Sequence, residues 1–213
     1  MPTPIIHLCV AKELLDVFDI HDKPNYYLGS ISPDAMYLTP TYYDLEGYEE
    51  QYIKTHLAAL GHSEREKEAR NFIANYRTGK DGDFYFGYGI HLLTDVYWRE
   101  VVYPKYEQMF SGELQHDELR TQFYEDARHF DLAFYEKFKL GADVWGYLEK
   151  STPFDVNDLL TVPEIERWKD NVLALFDEWE KPATPVNYFT DDIIMDLING
   201  AVDKISALYD MTD

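Results

Sequence analysis

Apolar positions along this chain recur at helical spacing, and no stretch alternates as a half-buried strand would. Thr3 offers an N-cap and Pro4 suits the first helical position, so a helix is predicted from there to about Phe18. Between His21 and Tyr43 the chain is punctuated by Pro24, Gly29, Pro33 and Pro40, and this stretch reads as an irregular, turn-rich loop. Helices are predicted over about Gly47–Leu60, stopping at Gly61, and over Ser63–Tyr76. After a loop at Thr78–Asp83 comes a long apolar helix, about Phe84–Phe110. Three more follow, over about Asp117–Lys139, Pro163–Trp179 and Thr190–Tyr209, with breaks at Val162-Pro163 and Lys181–Pro185. The expected fold class is all-α: a single-domain multi-helix bundle spanning residues 1–213, with a long central buried helix and an irregular loop after the first helix.

Composition sharpens this picture. A domain of 213 residues buries roughly 70% of its unfolded surface and needs no disulfides for its core. With 46% hydrophobic and 16% aromatic residues the chain has the means to fold. Its 40 acidic residues against 19 basic ones give a formal net charge of −21, which argues against binding of long nucleic acid or an anionic membrane. The single cysteine, Cys9, excludes an internal disulfide and a cysteine-rich zinc ribbon. No apolar run approaches the roughly 18 residues of a transmembrane segment. Nor does a basic leader precede Lys12 and Glu13, so a cytoplasmic protein is expected.

The chemistry is concentrated in a few polar residues on apolar faces. From Phe84 to Tyr97 the central helix carries only three clearly polar side chains in its second half, His91, Thr94 and Asp95. His91 and Asp95, four apart, share a helix face. A buried carboxylate needs a partner: either His91 itself, in a self-satisfied core pair, or a metal ion. Two further histidines lie on apolar stripes, His7 with Ala11 and Leu14, and His56 with Ile53, Leu57 and Leu60. In Gly29-Ser-Ile-Ser-Pro-Asp34-Ala, a local reading has Ser32 capping a helix that Pro33 starts and Asp34 favours through the dipole. His21, His62 and His116 sit in polar surroundings and read as surface or structural residues, as do His129 and Asp131, the two nearest to an apolar boundary.

Taken in order, His7, the Gly-Ser-Ile-Ser-Pro-Asp34 segment, Lys54-Thr-His56-Leu and Gly89-Ile-His91-Leu-Leu-Thr-Asp95 resemble the zinc-dependent phospholipase C family. The order and the His-x-x-x-Asp pair are also similar to the related single-strand-specific zinc nucleases. The resemblance covers about residues 5–98 and implies an all-helical hydrolase of phosphate esters. It implies that Asp34, His56, His91 and Asp95 surround one zinc ion. Asp95 would bridge to a second ion that His7 also holds, and Asp34 would be the candidate general base. The chain departs from the family at three points. Met1–Ile6 precede His7 in place of an N-terminal tryptophan, Arg99-Glu-Val-Val stands where the family carries another histidine, and a later His-x-x-x-acid pair is not evident. One or two ions are therefore expected, zinc first, with manganese or iron as substitutes.

The expected function is a metal-dependent hydrolase with metal-activated water as nucleophile, acting on a small phosphorylated substrate or a lipid headgroup. One alternative is an HD-type phosphohydrolase built on His21-Asp22 and His116-Asp117. Another is a non-catalytic helical interaction protein with a vestigial metal site. A ferritin-like carboxylate protein would want paired Glu-x-x-His motifs, and no such pair is present.

Overall fold

The structure, a computed structural model, describes residues 2–38, 45–57, 62–113, 115–141, 143–175, 177 and 185–210. Among them the chain is all-α, with a lone backbone bridge between Val156 and Leu160. The helices are α1 (Pro4–Glu13), α2 (Lys23–Ile31), α3 (Leu45–His56), α4 (His62–Tyr76), α5 (Gly82–Tyr97), α6 (Tyr103–Met109), α7 (His116–Gly141), α8 (Val144–Lys150), α9 (Val162–Ala174) and α10 (Asp191–Asp210). Tight 3₁₀ turns follow α1 at Leu14–Asp16 and α2 at Ser32–Leu38.

Two helices form the axis of the core. α5 is buried over nearly its whole circumference, from Phe84 through Tyr97 except Tyr85, as its continuous apolar run predicts. α1 is buried from Ile5 to Ala11 and likewise has little amphipathic character. One hydrophobic cluster runs from Ile5 to Ile205 and joins helices from both halves of the chain. α2 crosses α5 at glycines on both sides: a Cβ at Gly29 would strike the Phe84 carbonyl, and one at Gly87 would strike the Tyr26 carbonyl. This backbone-to-backbone approach, open only to glycine, places the end of α2 against the middle of α5.

The expected irregular loop after the first helix is largely helical. Asp22 accepts the Asn25 N–H through its side chain at 3.2 Å, Pro24 sits in the first turn, and the chain stays helical to Leu38. The prolines and glycine here start and pack helices instead of interrupting them. Residues 39–43 of that expected loop, and the predicted stop at Gly61, lie outside the described residues. The first helix gives way to its 3₁₀ turn at Leu14, short of Phe18. The long central helix is interrupted by one wide π-helical turn, Trp98–Val102, in which the Tyr103 N–H reaches back to the Trp98 carbonyl. α8 had no counterpart in the sequence reading. No helix among the described residues is long and apolar enough to cross a membrane.

Candidate metal centre

Each of the five side chains singled out by sequence is set by its own piece of backbone. His7 lies in the second turn of α1, behind the N-cap Thr3. The Thr3 hydroxyl donates to Asp131 at 2.7 Å and its oxygen accepts the Ile6 N–H at 3.4 Å, which fixes the start of α1 to α7. Asp34 hangs from the 3₁₀ turn after α2. Ser32 donates its hydroxyl backward to the Leu28 carbonyl at 2.7 Å, so the local capping account of Ser-Pro-Asp does not hold. His56 closes α3, and the next residue, Leu57, turns the chain at φ +53°. His91 and Asp95 stand one turn apart on α5.

All five converge. His56 Nε2 lies 3.2 Å from Asp34 Oδ1. His91 Nε2 lies 3.8 Å from the same oxygen and 3.9 Å from Asp95 Oδ2. His7 Nε2 lies 3.8 Å from Asp95 Oδ1. The rings of His7 and His91 stack with centroids 3.7 Å apart and planes 8° from parallel. Exposure of the five runs only from 0% at His91 to 4% at Asp34.

Neighbouring hydrogen bonds decide which way the imidazoles face. His91 Nδ1 donates to the Ser30 carbonyl at 2.9 Å, which can only accept, so Nε2 carries a lone pair. His56 Nδ1 is 2.8 Å from Thr55 Oγ1, whose hydrogen goes to the Gln51 carbonyl at 2.9 Å. With the Thr55 hydrogen on the Gln51 carbonyl, His56 Nδ1 donates to Thr55 and Nε2 offers a lone pair; in the other tautomer Nε2 donates to Asp34. The gaps from His91 and His7 to the two aspartates are too wide for hydrogen bonds, whereas His56 Nε2 lies within hydrogen-bond distance of Asp34 Oδ1. Both nitrogens of His7, Nε2 of His91 and both carboxylate oxygens of Asp95 have no hydrogen-bond partner. Burying a carboxylate in that condition costs several kcal/mol unless a cation or proton joins it.

Burial governs the titration of the cluster. It pushes His56 and His91 down to about 4 and His7 well below its ordinary value. It raises Asp34, and raises Asp95 to about 6. Near neutral pH the three imidazoles are neutral and Asp95 is largely ionised, the forms in which they would bind a divalent ion. Two triads, His7–His91–Asp95 and Asp34–His56–His91, each have donor atoms within 4.8 Å of one another. They share the single free lone pair of His91, which serves one ion only. Asp95 turns Oδ2 to His91 and Oδ1 to His7, so its two oxygens face different triad partners.

The remaining candidates lie elsewhere. His21 is 82% exposed in its side chain, and the backbone N–H groups of His21 and Asp22 donate to Asp83, so that His-Asp dipeptide is part of a surface turn. The side chains of His62 and His116 lie outside the described residues. His129 lines a separate cavity of about 610 Å³ between α7 and the start of α10. Asp131 holds Thr3, and burial raises its carboxyl to about 7. Asp126, on the same helix, accepts three backbone N–H groups from Asn187, Tyr188 and Phe189 and pins the chain before α10.

Sequence reasoning missed the supports of the cluster. Ser30 sets the His91 tautomer and Thr55 meets His56 Nδ1, but polar residues beside apolar ones gave no warning of either. Arg65 is 5% exposed, lies within electrostatic reach of Asp95 and donates to the Leu57 carbonyl at 3.1 Å. Its signal was present: Arg65, Ala69 and Ile73 form the buried stripe of α4, hidden by the glutamates and lysine between them. Compared with known proteins, the chain matches no family model, no curated protein and no solved structure. Its functional reading therefore stands on its own residues.

Proposed function

We propose that this chain is a metal-dependent hydrolase of phosphate esters, holding one or two divalent ions, zinc first among them, with His7, Asp34, His56, His91 and Asp95. The observation that carries the reading is the convergence of five buried donors from four separate elements, with the atoms of His7, His91 and Asp95 unsatisfied. Imidazole nitrogen mixed with carboxylate oxygen suits zinc, manganese or iron. When bound, the ion supplies a water of lowered pKa and positive charge for phosphate oxygens. The residues do the rest. Asp34 has the most exposed side chain of the five, at 6%, and its position suits it to take the proton of an attacking water. Ser30 keeps His91 in the donor tautomer, and Thr55 can do the same for His56. The resemblance to zinc-dependent phospholipases C supports the same roles. A small substrate fits a −21 chain better than long nucleic acid does, and the single buried Cys9 suits a reducing cytoplasm.

Metal analysis of the purified protein, with anomalous scattering at the cluster, tests the ion directly. Hydrolysis of small phosphate esters with zinc or manganese tests the activity. The expected outcome is stoichiometric metal, turnover abolished by chelation, and loss of both in Asp95→Asn. Metal without turnover of any ester would make this a helical protein with a vestigial site. No metal under any condition would remove the hydrolase reading altogether.

A further inference from the structure

Beside the cluster lies a surface whose charge runs against that of the molecule. Arg99 stands four residues beyond Asp95 and Tyr103 four beyond Arg99, so His91, Asp95, Arg99 and Tyr103 form a line at one-turn intervals. In an α-helix each such step drifts by about 40°, because a turn takes 3.6 residues. The wider π-helical turn at Trp98–Val102 works against that drift and keeps Arg99 and Tyr103 towards the face of Asp95. The Arg99 guanidinium packs 5.6 Å from the centre of the Tyr52 ring, and Tyr52 stacks on His56 at 4.7 Å. Tyr37 approaches His56 at 6.3 Å from another side. From α7, Arg120 lies 6.0 Å from the Tyr124 ring and hydrogen-bonds to it, and Tyr124 in turn bonds to Tyr103. The four tyrosines and Arg99 are half-buried and Arg120 is exposed, so the group forms a mouth open to solvent. The electrostatics agree with the geometry: burial depresses Arg99, Arg120 is close enough to add to that, and Tyr103 and Tyr124 both sense Asp95.

We propose that Arg99 and Arg120, framed by Tyr37, Tyr52, Tyr103 and Tyr124, bind the phosphate of a phosphomonoester beside the His/Asp cluster, with the tyrosines against its organic part. This rests on the hydrolase reading and narrows it. The two guanidiniums interact unfavourably across the mouth, an anion between them would relieve that repulsion, and a planar fork matches phosphate oxygens in pairs. A dianionic monoester suits two guanidiniums better than a monoanionic diester does. A headgroup bearing a quaternary ammonium would bring a third positive charge to the same place. The tyrosine faces offer stacking area to an aromatic or other apolar leaving group.

Inorganic phosphate is the probe, titrated calorimetrically into metal-free and zinc-loaded protein. Arg99→Gln and Arg120→Gln are each expected to weaken phosphate binding about ten- to hundredfold in both forms, as loss of a charge-assisted contact does. Arg99→Lys should recover part of it, while Lys80→Gln, in an exposed loop, should change nothing. Zinc affinity should remain within a few-fold in all variants. In turnover, 4-nitrophenyl phosphate should be preferred to bis(4-nitrophenyl) phosphate and to 4-nitrophenyl phosphorylcholine, and the two Gln variants should raise KM for the monoester more than they lower kcat. Arg120 is exposed, so its variant reads binding even where Arg99→Gln fails to fold. Wild-type protein that takes up zinc but binds no phosphate, or binds it equally in both Gln variants, overturns this inference and leaves the hydrolase intact. A preference for the choline ester overturns it too. Phosphate binding that depends on both arginines in a protein that never takes up zinc supports the clamp and removes the hydrolase.

Discussion

At the scale of single residues, the cluster is defined by burial without satisfaction. Its protonation state makes a pH prediction whose sign can be worked out. Burial raises the Asp95 carboxyl to about 6, so its contribution to the metal-free fold is complete below its unfolded value of 3.8 and gone above about 6. His56 and His91, depressed to about 4, contribute oppositely: in full above 6.5, and lost as pH falls through about 4. An ion takes the ionised carboxylate and the neutral imidazoles. Above about pH 6 Asp95 and the imidazoles are already in that form, and below it binding must expel the Asp95 proton. As far as Asp95 governs it, zinc affinity should therefore be flat down to about pH 6 and then fall about tenfold per pH unit. Chelator competition at pH 5, 6 and 7 measures this. An affinity already falling at pH 7, with several protons released per ion, would mean solvated imidazoles. The same carboxylate predicts opposite effects for Asp95→Asn: metal uptake collapses, while the metal-free protein gains about 1–3 kcal/mol at pH 7.5 by losing a buried charge. Thermal unfolding with and without chelator separates the two. His7, His56, His91 and Asp95 were legible in the sequence because each is polar on an otherwise apolar face, whereas Asp34 read locally as a helix-start residue and joined them only through the family resemblance. Arg65 was not legible, because its stripe runs between glutamates and lysine.

Helices carry the next level of argument, and there the crossing of α2 over α5 decides the site. Gly29 and Gly87 let the backbones touch, and that contact brings the Ser30 carbonyl to His91 Nδ1. Gly87→Ala should force the pair apart, cost about 1–3 kcal/mol or more, and weaken zinc binding by loosening His91. Gly146 in α8 is the internal contrast, since a Cβ there meets nothing within 4 Å. Gly146→Ala should leave zinc affinity unchanged and stabilise by about 0.5–1 kcal/mol through helix propensity. Melting curves of the two variants, each with a zinc titration, check both expectations. Most helices could be read from periodicity, but residues 23–38 could not. Pro24, Gly29 and Pro33 look like loop punctuation in one dimension. In three, Pro24 opens α2, Gly29 admits a neighbouring backbone and Pro33 lies in a 3₁₀ turn. Close packing between distant segments leaves no local trace, and α8 and the π-helical turn escaped notice for the same reason.

For the molecule as a whole, charge sets the terms of encounter. With a net −21, single-stranded DNA should bind weakly, and added salt should not reveal the steep loss of affinity that counterion release produces. Fluorescence anisotropy at 50 and 200 mM salt would detect the contrary. Capture of a small anion by the arginines proposed beside the cluster should therefore depend on local contact, with little long-range steering.

The depth of the donors has a kinetic consequence. His7, Asp34, His56, His91 and Asp95 are all but sealed, and the helix that carries His7 is buried along its inner length. An ion held there could meet a small ester through the mouth beside the cluster, but to leave it must shed donors that move only when α1 or its neighbours swing away, so exchange should be gated by opening of the protein and not by collision with a scavenger. Removal by a strong chelator should then run at one rate whatever the chelator concentration, and that rate should match the slow exchange of the α1 and α5 amide hydrogens.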